Sequence, residues 1–324
     1  MTIGEAPSAA AIERARVIAG AGATVRRKVV LAGGTHARTC LIQTANPERD
    51  FVLREFPPDD PAVADEMLVL AALDGLGGLA PRLLAANAAN AANGGAADAY
   101  GGAADAAGSA RGPWILTSRL PGVADINPAD PSGVARQLGQ CLANVHATAA
   151  NRLAGFPRVF DRPAESRREL RGPAAGLVSA RWEALAAEPN VLTHYDFWSG
   201  NTLWRNGTLA GVVDWSGAAL GPRGFDLGWC RLDLYLMFGR RIADVFLESY
   251  QSASGAACTE PLLADLWAVA RSHSGVESWV PNYRDLGRPD LTAQVLRERH
   301  AAWTRDLISA AAAARPSAGT PEGC

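Results

Sequence analysis

Three polar side chains in the segment HYDFWSGNTLWRNGTLAGVVDW, residues 194–215, are of the types that could carry out chemistry together. They are Asp196, Asn201 and Asp214, set among apolar and aromatic residues. Amide and carboxylate oxygens are the ligands that Mg²⁺ prefers, and a further carboxylate can orient or deprotonate an attacking hydroxyl. A metal that neutralises phosphate charge beside such a carboxylate is the chemistry of phosphoryl transfer from ATP.

The dipeptide Asn206-Gly207 predicts how two of these side chains come together. It is a strong signal for a two-residue type I′ hairpin turn, because both central positions need positive φ. With Arg205 opposite Thr208, the register places Asn201 opposite Val212 and makes Asp214 its diagonal neighbour on the same face. Diagonal neighbours lie about 7–8 Å apart, a gap that one shared Mg²⁺ can bridge. Asp196 is expected on the loop that leads into this hairpin.

An Asp and an Asn separated by four residues, followed later by a second Asp, form the catalytic signature of protein kinases. In this sequence it reads HYDFWSGN followed by VVDW. This pattern resembles the aminoglycoside phosphotransferase family, the small-molecule branch of the protein-kinase-like fold that also includes choline kinase-like enzymes. The resemblance spans roughly residues 25–250. It implies that Asp196 is the catalytic base and that Asn201 and Asp214 bind Mg²⁺.

The resemblance also implies an ATP site in the N-terminal part of the chain. Arg54 in VLR corresponds to the basic residue that holds the α- and β-phosphates, and Glu66 to its ion-pair partner. Further ATP contacts are implied for a short glycine loop and for the strand and linker of WILTSRLPG, at Gly33, Gly34, Thr35, Thr117, Ser118 and Leu120. The expected adenine contacts are the Ser118 carbonyl and the Leu120 N–H.

Three more polar residues are candidates for supporting roles. His194 is expected to brace the catalytic loop, while Asp226 and Asp233 could orient that loop or reach the substrate. Tyr195 and Ser216 have no explanation from the sequence. Eleven residues separate Asp214 from Asp226, which leaves no room for an activation segment and argues against a protein kinase.

Composition narrows the possible partners. The chain has 324 residues, 48% of them hydrophobic, and a formal net charge of -2. No strong field favours nucleic acid or an anionic membrane, and no apolar run has the roughly 18 residues of a membrane-spanning helix. The five scattered cysteines and the absence of a signal-peptide pattern at the N-terminus predict a cytoplasmic protein. The oligomeric state is left open.

Periodicity predicts an α+β, bilobal protein-kinase-like fold. Residues 9–20 and 61–78 have helical patterns, the second with a stop in its glycines, and residues 28–44, 50–56 and 113–122 have strand patterns. The predicted order of elements in the small lobe is therefore β-β-β-α-β. The N-lobe is expected over residues 1–117, with a low-complexity insertion at 85–112, and a linker over 118–122. A larger, mostly helical C-lobe is expected over 123–312, followed by a disordered tail at 313–324.

The predicted function is therefore ATP- and Mg²⁺-dependent phosphorylation of a small-molecule hydroxyl. The first expectation for the acceptor is an antibiotic, either aminoglycoside-like or a cationic peptide, with resistance as the outcome. The alternatives are a metabolic alcohol such as choline, a sugar amine or homoserine, and a non-catalytic nucleotide-binding module. Acidic residues around the acceptor would favour a cation, and Asp226, Asp233, Glu248 and Glu277 are available. Some of the Trp and Tyr residues between 229 and 283 could also line the acceptor pocket.

Overall fold

The fold combines a small antiparallel sheet with a larger set of helices. The computed structural model describes residues 7–31, 37–58, 60, 62–87, 112–161, 169–255 and 260–314. Contacts divide the chain into two compact units, of which unit 1 contains residues 1–125, 148–157 and 200–219, and unit 2 contains the remainder. No helix in these described ranges has both the length and the apolar character that crossing a membrane requires.

Unit 1 is built on a five-stranded antiparallel sheet. Its helices are α1 (Ala9–Ala19) and α2 (Ala62–Leu73). Its strands are β1 (Thr24–Val30), β2 (Arg38–Ala45), β3 (Arg49–Glu55), β4 (Leu83–Asn87) and β5 (Trp114–Ser118), in the spatial order β1-β2-β3-β5-β4. Alternation along β3 buries Phe51 and Leu53 against α1. Arg54 therefore points to the opposite face of the sheet.

The sequence prediction missed strand β4. Ala85 and Ala86 are buried in this strand, which pairs with β5, so the predicted insertion over 85–112 begins too early. Alanine favours strands weakly, and its low-complexity context hid the pattern. Residues 88–111 lie outside the described part of the chain, as do Gly33, Gly34 and Thr35 of the predicted phosphate loop.

The predicted hairpin forms in unit 1, but its register differs from the expected one. Strands β6 (Asn190–Thr193), β7 (Thr202–Arg205) and β8 (Thr208–Val212) follow in chain order, and Arg205 pairs with Thr208. A β-bulge shifts the later pairs, so that Leu203 lies opposite Gly211. The Val213 N–H consequently donates to the Asn201 carbonyl at 2.9 Å, and Asn201 does not lie opposite Val212.

The hairpin groups with the N-terminal sheet, whereas the sequence placed it in the C-lobe. Trp204 exchanges two backbone hydrogen bonds with Val123, at 2.8 and 3.1 Å. The Val212 N–H donates to the Leu79 carbonyl at 2.7 Å. These backbone contacts connect the hairpin to residues that follow α2 and β5, which explains why residues 200–219 belong to unit 1.

Unit 2 is mostly helical, as expected. It contains α3 (Pro131–His146), α4 (Ala175–Ala180), α5 (Trp182–Ala186), α6 (Arg223–Phe238), α7 (Arg240–Ser254), α8 (Pro261–Ser272), α9 (Val280–Asp285) and α10 (Ala293–Ala313). Strand β9 (Ala219–Pro222) pairs with β6 and leads into α6. Helix α6 packs closely on α8, since a Cβ at Gly228 would lie 2.3 Å from the Ala264 carbonyl oxygen. Ala313 is the last residue of α10 and not part of a tail, and residues 315–324 are outside the described ranges.

Candidate active site

Arg54 joins two carboxylates in unit 1. Its Nη1 donates to Glu66 Oε1 at 2.7 Å, and its Nη2 donates to Asp214 Oδ1 at 3.0 Å. Burial of Glu66, which is 2% exposed, raises the pKa of its carboxyl to about 7, although Arg54 acts in the opposite direction. The family resemblance implied the Arg54–Glu66 pair, but the contact between Arg54 and Asp214 was not foreseen. Arg54, the residue expected to bind the phosphates, thus contacts Asp214, the residue expected to bind the metal.

Asp214 lies beyond the end of β8 and has a left-handed backbone conformation. Its φ is 63° and its ψ is 64°, a conformation that Asp tolerates better than most residues. The Ser216 hydroxyl donates to Asp214 Oδ1 at 2.9 Å, which gives a role to a residue that the sequence left unexplained. The next residue, Trp215, is fully buried and donates to the Val212 carbonyl at 3.0 Å. The sequence analysis had assigned Asp214 to one face of the hairpin by the alternation of side chains along a strand. Because Asp214 lies outside β8, that alternation does not apply, and the local contacts orient its carboxylate instead.

Asn201 ends a single 3₁₀ turn, Ser199–Asn201, immediately before β7. Its backbone bond to Val213 ties this turn to the residue that precedes Asp214. The amide of Asn201 and the carboxylate of Asp214 are oxygen donors of the type that suits Mg²⁺. The described residues contain no cluster of three or more His, Cys, Asp or Glu that could hold a metal. An ion here would consequently take its remaining oxygens from phosphates and water, as Mg²⁺ commonly does beside nucleotides.

The residues predicted to contact adenine lie at the end of β5 and in the segment that follows it. Thr117 is buried and donates to the Val52 carbonyl at 3.4 Å. Ser118 exchanges two hydrogen bonds with Arg82, both at 2.9 Å. Leu120 is 9% exposed and packs close to Gly211 of the hairpin. These positions connect β5 to the segment before β4, and their contacts with a nucleotide stay predictions.

Asp196 lies in unit 2, where helix α6 positions its carboxylate. The indole N–H of Trp229 donates to Asp196 Oδ1 at 2.9 Å. Trp229 lies three residues after Asp226 on the same helix, so both side chains are on one face of α6. Trp229 was expected only as one of the Trp and Tyr residues that could line the acceptor pocket, and its contact with Asp196 was not foreseen. Its helical spacing from Asp226 was the one signal that could have indicated it.

Asp226 braces the loop that carries Asp196. Its carboxylate is fully buried and accepts the backbone N–H groups of His194 and Tyr195, both at 2.7 Å. His146 Nε2 lies 3.1 Å from Asp226 Oδ2, and the Tyr250 hydroxyl lies 2.8 Å from His146 Nδ1. Helices α3 and α6 and the loop before Asp196 therefore meet at one carboxylate, and α7 joins them through His146.

Tyr195 also has a structural explanation. Its φ is 67°, an unfavourable value for a bulky residue, and its N–H is one of the two that Asp226 accepts. Its ring packs against Phe225 and Trp267, with centroids 5.7 and 6.0 Å away. His194 is fully buried, with its ring 6.1 Å from that of Phe197. Both residues shape the loop from inside unit 2.

Asp233 holds the far end of the same loop. It accepts the Ser199 N–H at 3.1 Å and the Ser199 hydroxyl at 2.8 Å, and it accepts the Tyr283 hydroxyl at 3.0 Å. Burial raises the pKa of the Asp233 carboxyl, while the hydrogen bonds from Ser199 and Tyr283 act against this increase. Asp226 and Asp233 thus secure the loop on either side of Asp196. They belong to unit 2, as does Asp196, whereas Asn201 and Asp214 belong to unit 1.

Comparisons with known proteins agree with these observations. The structure resembles aminoglycoside-3'-phosphotransferase of type VIII, with a TM-score of 0.55 and 19% identity over 80% of this chain and 96% of that one. It also resembles macrolide 2'-phosphotransferase type I, with a TM-score of 0.51 and 20% identity over 95% of this chain and 99% of that one. A ternary complex of aminoglycoside phosphotransferase APH(4)-Ia with AMP-PNP and hygromycin B gives a TM-score of 0.54 at 15% identity, over 87% of this chain and 94% of that one. These likenesses show a shared fold.

Sequence comparison identifies the family. No protein of curated function matches this chain. The family model described as the phosphotransferase enzyme family, APH, matches residues 29–263, which include both Asp196 and the Arg54–Glu66–Asp214 cluster. The chain therefore belongs to the APH phosphotransferase enzyme family, with its protein-kinase-like fold.

Proposed function

We propose that this protein transfers the γ-phosphoryl group of ATP to a hydroxyl of a small molecule, with Mg²⁺ bound by Asn201 and Asp214. Family membership makes the chain a phosphotransferase with an alcohol group as acceptor. The observation that carries the nucleotide part of the proposal is the double contact of Arg54 with Glu66 and Asp214. It connects the expected phosphate-binding residue to the expected metal ligand across 160 positions of sequence.

In the proposed reaction, the oxygen of the acceptor hydroxyl forms a bond to the γ-phosphorus, and the bond from that phosphorus to ADP breaks. Asp196 accepts the proton that the hydroxyl loses. The Trp229 indole N–H stabilises the Asp196 carboxylate and fixes its direction. Arg54 holds the phosphates through a planar guanidinium with several donors. Bound Mg²⁺ would neutralise charge on the phosphates. Positioning and charge neutralisation thus supply most of the catalysis.

The support for ATP and for an antibiotic acceptor comes from the structural relatives. One of them is a complex with AMP-PNP and hygromycin B, and others are named for aminoglycosides and macrolides. We therefore propose an antibiotic as the first acceptor class, with resistance as the outcome. A metabolic alcohol such as choline, a sugar amine or homoserine is the second. We place the reaction in the cytoplasm, in keeping with the free, buried thiols of Cys40, Cys141 and Cys230.

The test is the variant Asp196→Ala. We expect kcat to fall by about 10²–10⁴-fold, the usual contribution of a general base, while ATP binding measured by calorimetry is retained. Asp306→Asn, which changes an exposed carboxylate on α10, is the control and should keep parental activity. Full activity in Asp196→Ala would refute the assignment. Mass spectrometry of antibiotics and metabolic alcohols incubated with ATP and Mg²⁺ identifies the acceptor, and no product with any of them would favour the non-catalytic nucleotide-binding module.

A further inference from the structure

A cavity in unit 2 opens beside Asp196 and has mostly aromatic walls. It has about 390 Å³ of empty space including its mouth, and its walls include Asp196, Trp198, Trp229, Asp233, Trp279 and Tyr283. Trp198, Trp229 and Trp279 are each only partly buried. Three indoles that stay partly exposed around one carboxylate mark a surface that is completed by a ligand.

The rings of the cavity wall form two edge-to-face pairs. Trp229 and Trp279 have centroids 5.2 Å apart at an interplanar angle of 65°, and Trp198 and Tyr283 have centroids 5.8 Å apart at 79°. The two rings of an edge-to-face pair point their π-faces in different directions. Aromatic faces carry negative potential and attract cations, and Trp is the strongest of the side chains in this respect.

Charge in the cavity also favours a cation. Among the described residues that line it, two are acidic and none is basic. Asp233 accepts the Tyr283 hydroxyl, and the other polar side chains of the lining are Asp196 and the exposed Asn282. A polyol would find few hydrogen-bond partners here, whereas a cation with apolar substituents matches both the charge and the walls.

The carboxylates that could have bound a polycation are engaged elsewhere. Asp226 is fully buried beneath the catalytic loop, and Glu277 is paired with Arg297. Glu248 lies on α7 and does not line this cavity. Among the described residues that line the cavity, a molecule with many ammonium groups would therefore meet two carboxylates, Asp196 and the buried Asp233, which already accepts three hydrogen bonds.

Trp229 connects the cavity to the reaction. Its N–H edge bonds to Asp196, and its ring forms part of the wall. A cation over this indole lies within about 6 Å of the ring centroid. A hydroxyl at Asp196 and a cation in the cavity would consequently be separated by only a few bonds of the same molecule.

We propose that the acceptor is an alcohol with a single alkylated ammonium group a few bonds from the hydroxyl that is phosphorylated. The cavity holds the ammonium group while Asp196 receives the hydroxyl. This inference rests on the proposed function, because it specifies the acceptor of the same site. It narrows the acceptor to a monocation with alkyl substituents, and it argues against polyamines and neutral sugars.

The first test measures binding without ATP, so that it does not depend on phosphoryl transfer. Calorimetry compares choline with 3,3-dimethylbutan-1-ol, a neutral alcohol of the same shape, and with the polyamine spermidine. We expect choline to bind at least about tenfold more tightly than the neutral alcohol, the effect of a desolvated cation over aromatic rings. Equal affinity for the two alcohols, or tighter binding of spermidine than of choline, would overturn the inference.

The second test assigns the preference to the cavity wall. Trp279→Leu removes the aromatic face but keeps apolar bulk, and it should abolish the difference between the charged and the neutral alcohol. Trp279→Phe keeps a weaker aromatic face and should retain part of the difference. Tyr235→Leu is the control, because Tyr235 stacks on Trp303 outside the cavity, and it should bind as the parent does. An unchanged preference in Trp279→Leu would refute the role of the cavity.

Phosphoryl transfer and cation binding can be refuted independently of each other. A protein that binds choline selectively but never transfers phosphate from ATP to any alcohol would refute the proposed function and leave the cation site intact. A protein that phosphorylates only neutral or polycationic alcohols would support the proposed function and overturn the inference about the cavity.

Discussion

Replacing Asp226 by Asn tests whether this carboxylate secures the loop that carries Asp196. The parent side chain accepts two buried backbone N–H groups, from His194 and Tyr195, at 2.7 Å each. The amide of Asn has nearly the same shape but one acceptor oxygen, so its NH₂ group must face one of these donors. Asp226→Asn therefore separates the effect of charge and hydrogen bonding from the effect of side-chain volume.

The expected loss of stability follows from these two bonds. One backbone N–H loses a charged acceptor but keeps a neutral one, a loss of about 1 kcal/mol. The other becomes a buried donor without an acceptor, at a cost of about 1–3 kcal/mol. The variant should thus lose about 2–4 kcal/mol in the free energy of unfolding. We also expect kcat to fall, because the loop that presents Asp196 is released, while ATP binding is retained because Arg54 and Glu66 belong to the other unit.

Denaturant unfolding and amide hydrogen exchange measure these effects. The amides of His194 and Tyr195 should lose protection in Asp226→Asn more than the amides of α6 do. Asp290→Asn is the control, since Asp290 is an exposed partner of Arg288 and its loss should change stability by no more than about 1 kcal/mol. If Asp226→Asn kept parental stability and both amides stayed protected, the bracing role of Asp226 would be refuted.

Substitutions at three further positions test other parts of the site. The folded-state pKa of Glu66, about 7 against a reference of 4.5, means that the parent loses stability as pH rises from 4.5 to 7. This loss amounts to about 3 kcal/mol, at about 1.36 kcal/mol per pH unit, and the free energy of unfolding of Glu66→Gln should not show it. If the variant's free energy of unfolding fell with pH as steeply as the parent's, the raised pKa of Glu66 would be contradicted. Tyr195→Ala should be about 1 kcal/mol less stable than Tyr195→Gly in denaturant unfolding, because Ala keeps the cost of a φ of 67° and Gly does not. The reverse order of stability would show that this φ carries no strain. Ser216→Ala, which removes a 2.9 Å hydrogen bond to Asp214, should lower Mg²⁺ affinity by about tenfold in activity titrations, and equal Mg²⁺ dependence would exclude that role.

The sequence alone determined the features that depend on neighbouring residues. The Asn206-Gly207 turn forms with positive φ at both positions, 52° and 74°. Alternation placed β3 within a residue of its observed bounds. Helical periodicity placed α2, which begins one residue after Pro61 and ends at Leu73, before the predicted glycine stop. The spacing of Asp196, Asn201 and Asp214 identified the family, because this local pattern is specific to its chemistry.

Tertiary structure decided what depends on residues far apart in the chain. The bulge in the β7–β8 hairpin, the edge strand β4 and the left-handed conformation of Asp214 have no distinct local signal. The bond from Trp229 to Asp196 spans 33 positions, and that from Arg54 to Asp214 spans 160. The direction of a side chain depends on the packing of the elements that carry it, and periodicity fixes only the face on which it starts. Sequence therefore identified which residues could act, whereas packing determined which of them contact each other and gave the cavity beside Asp196 its aromatic walls.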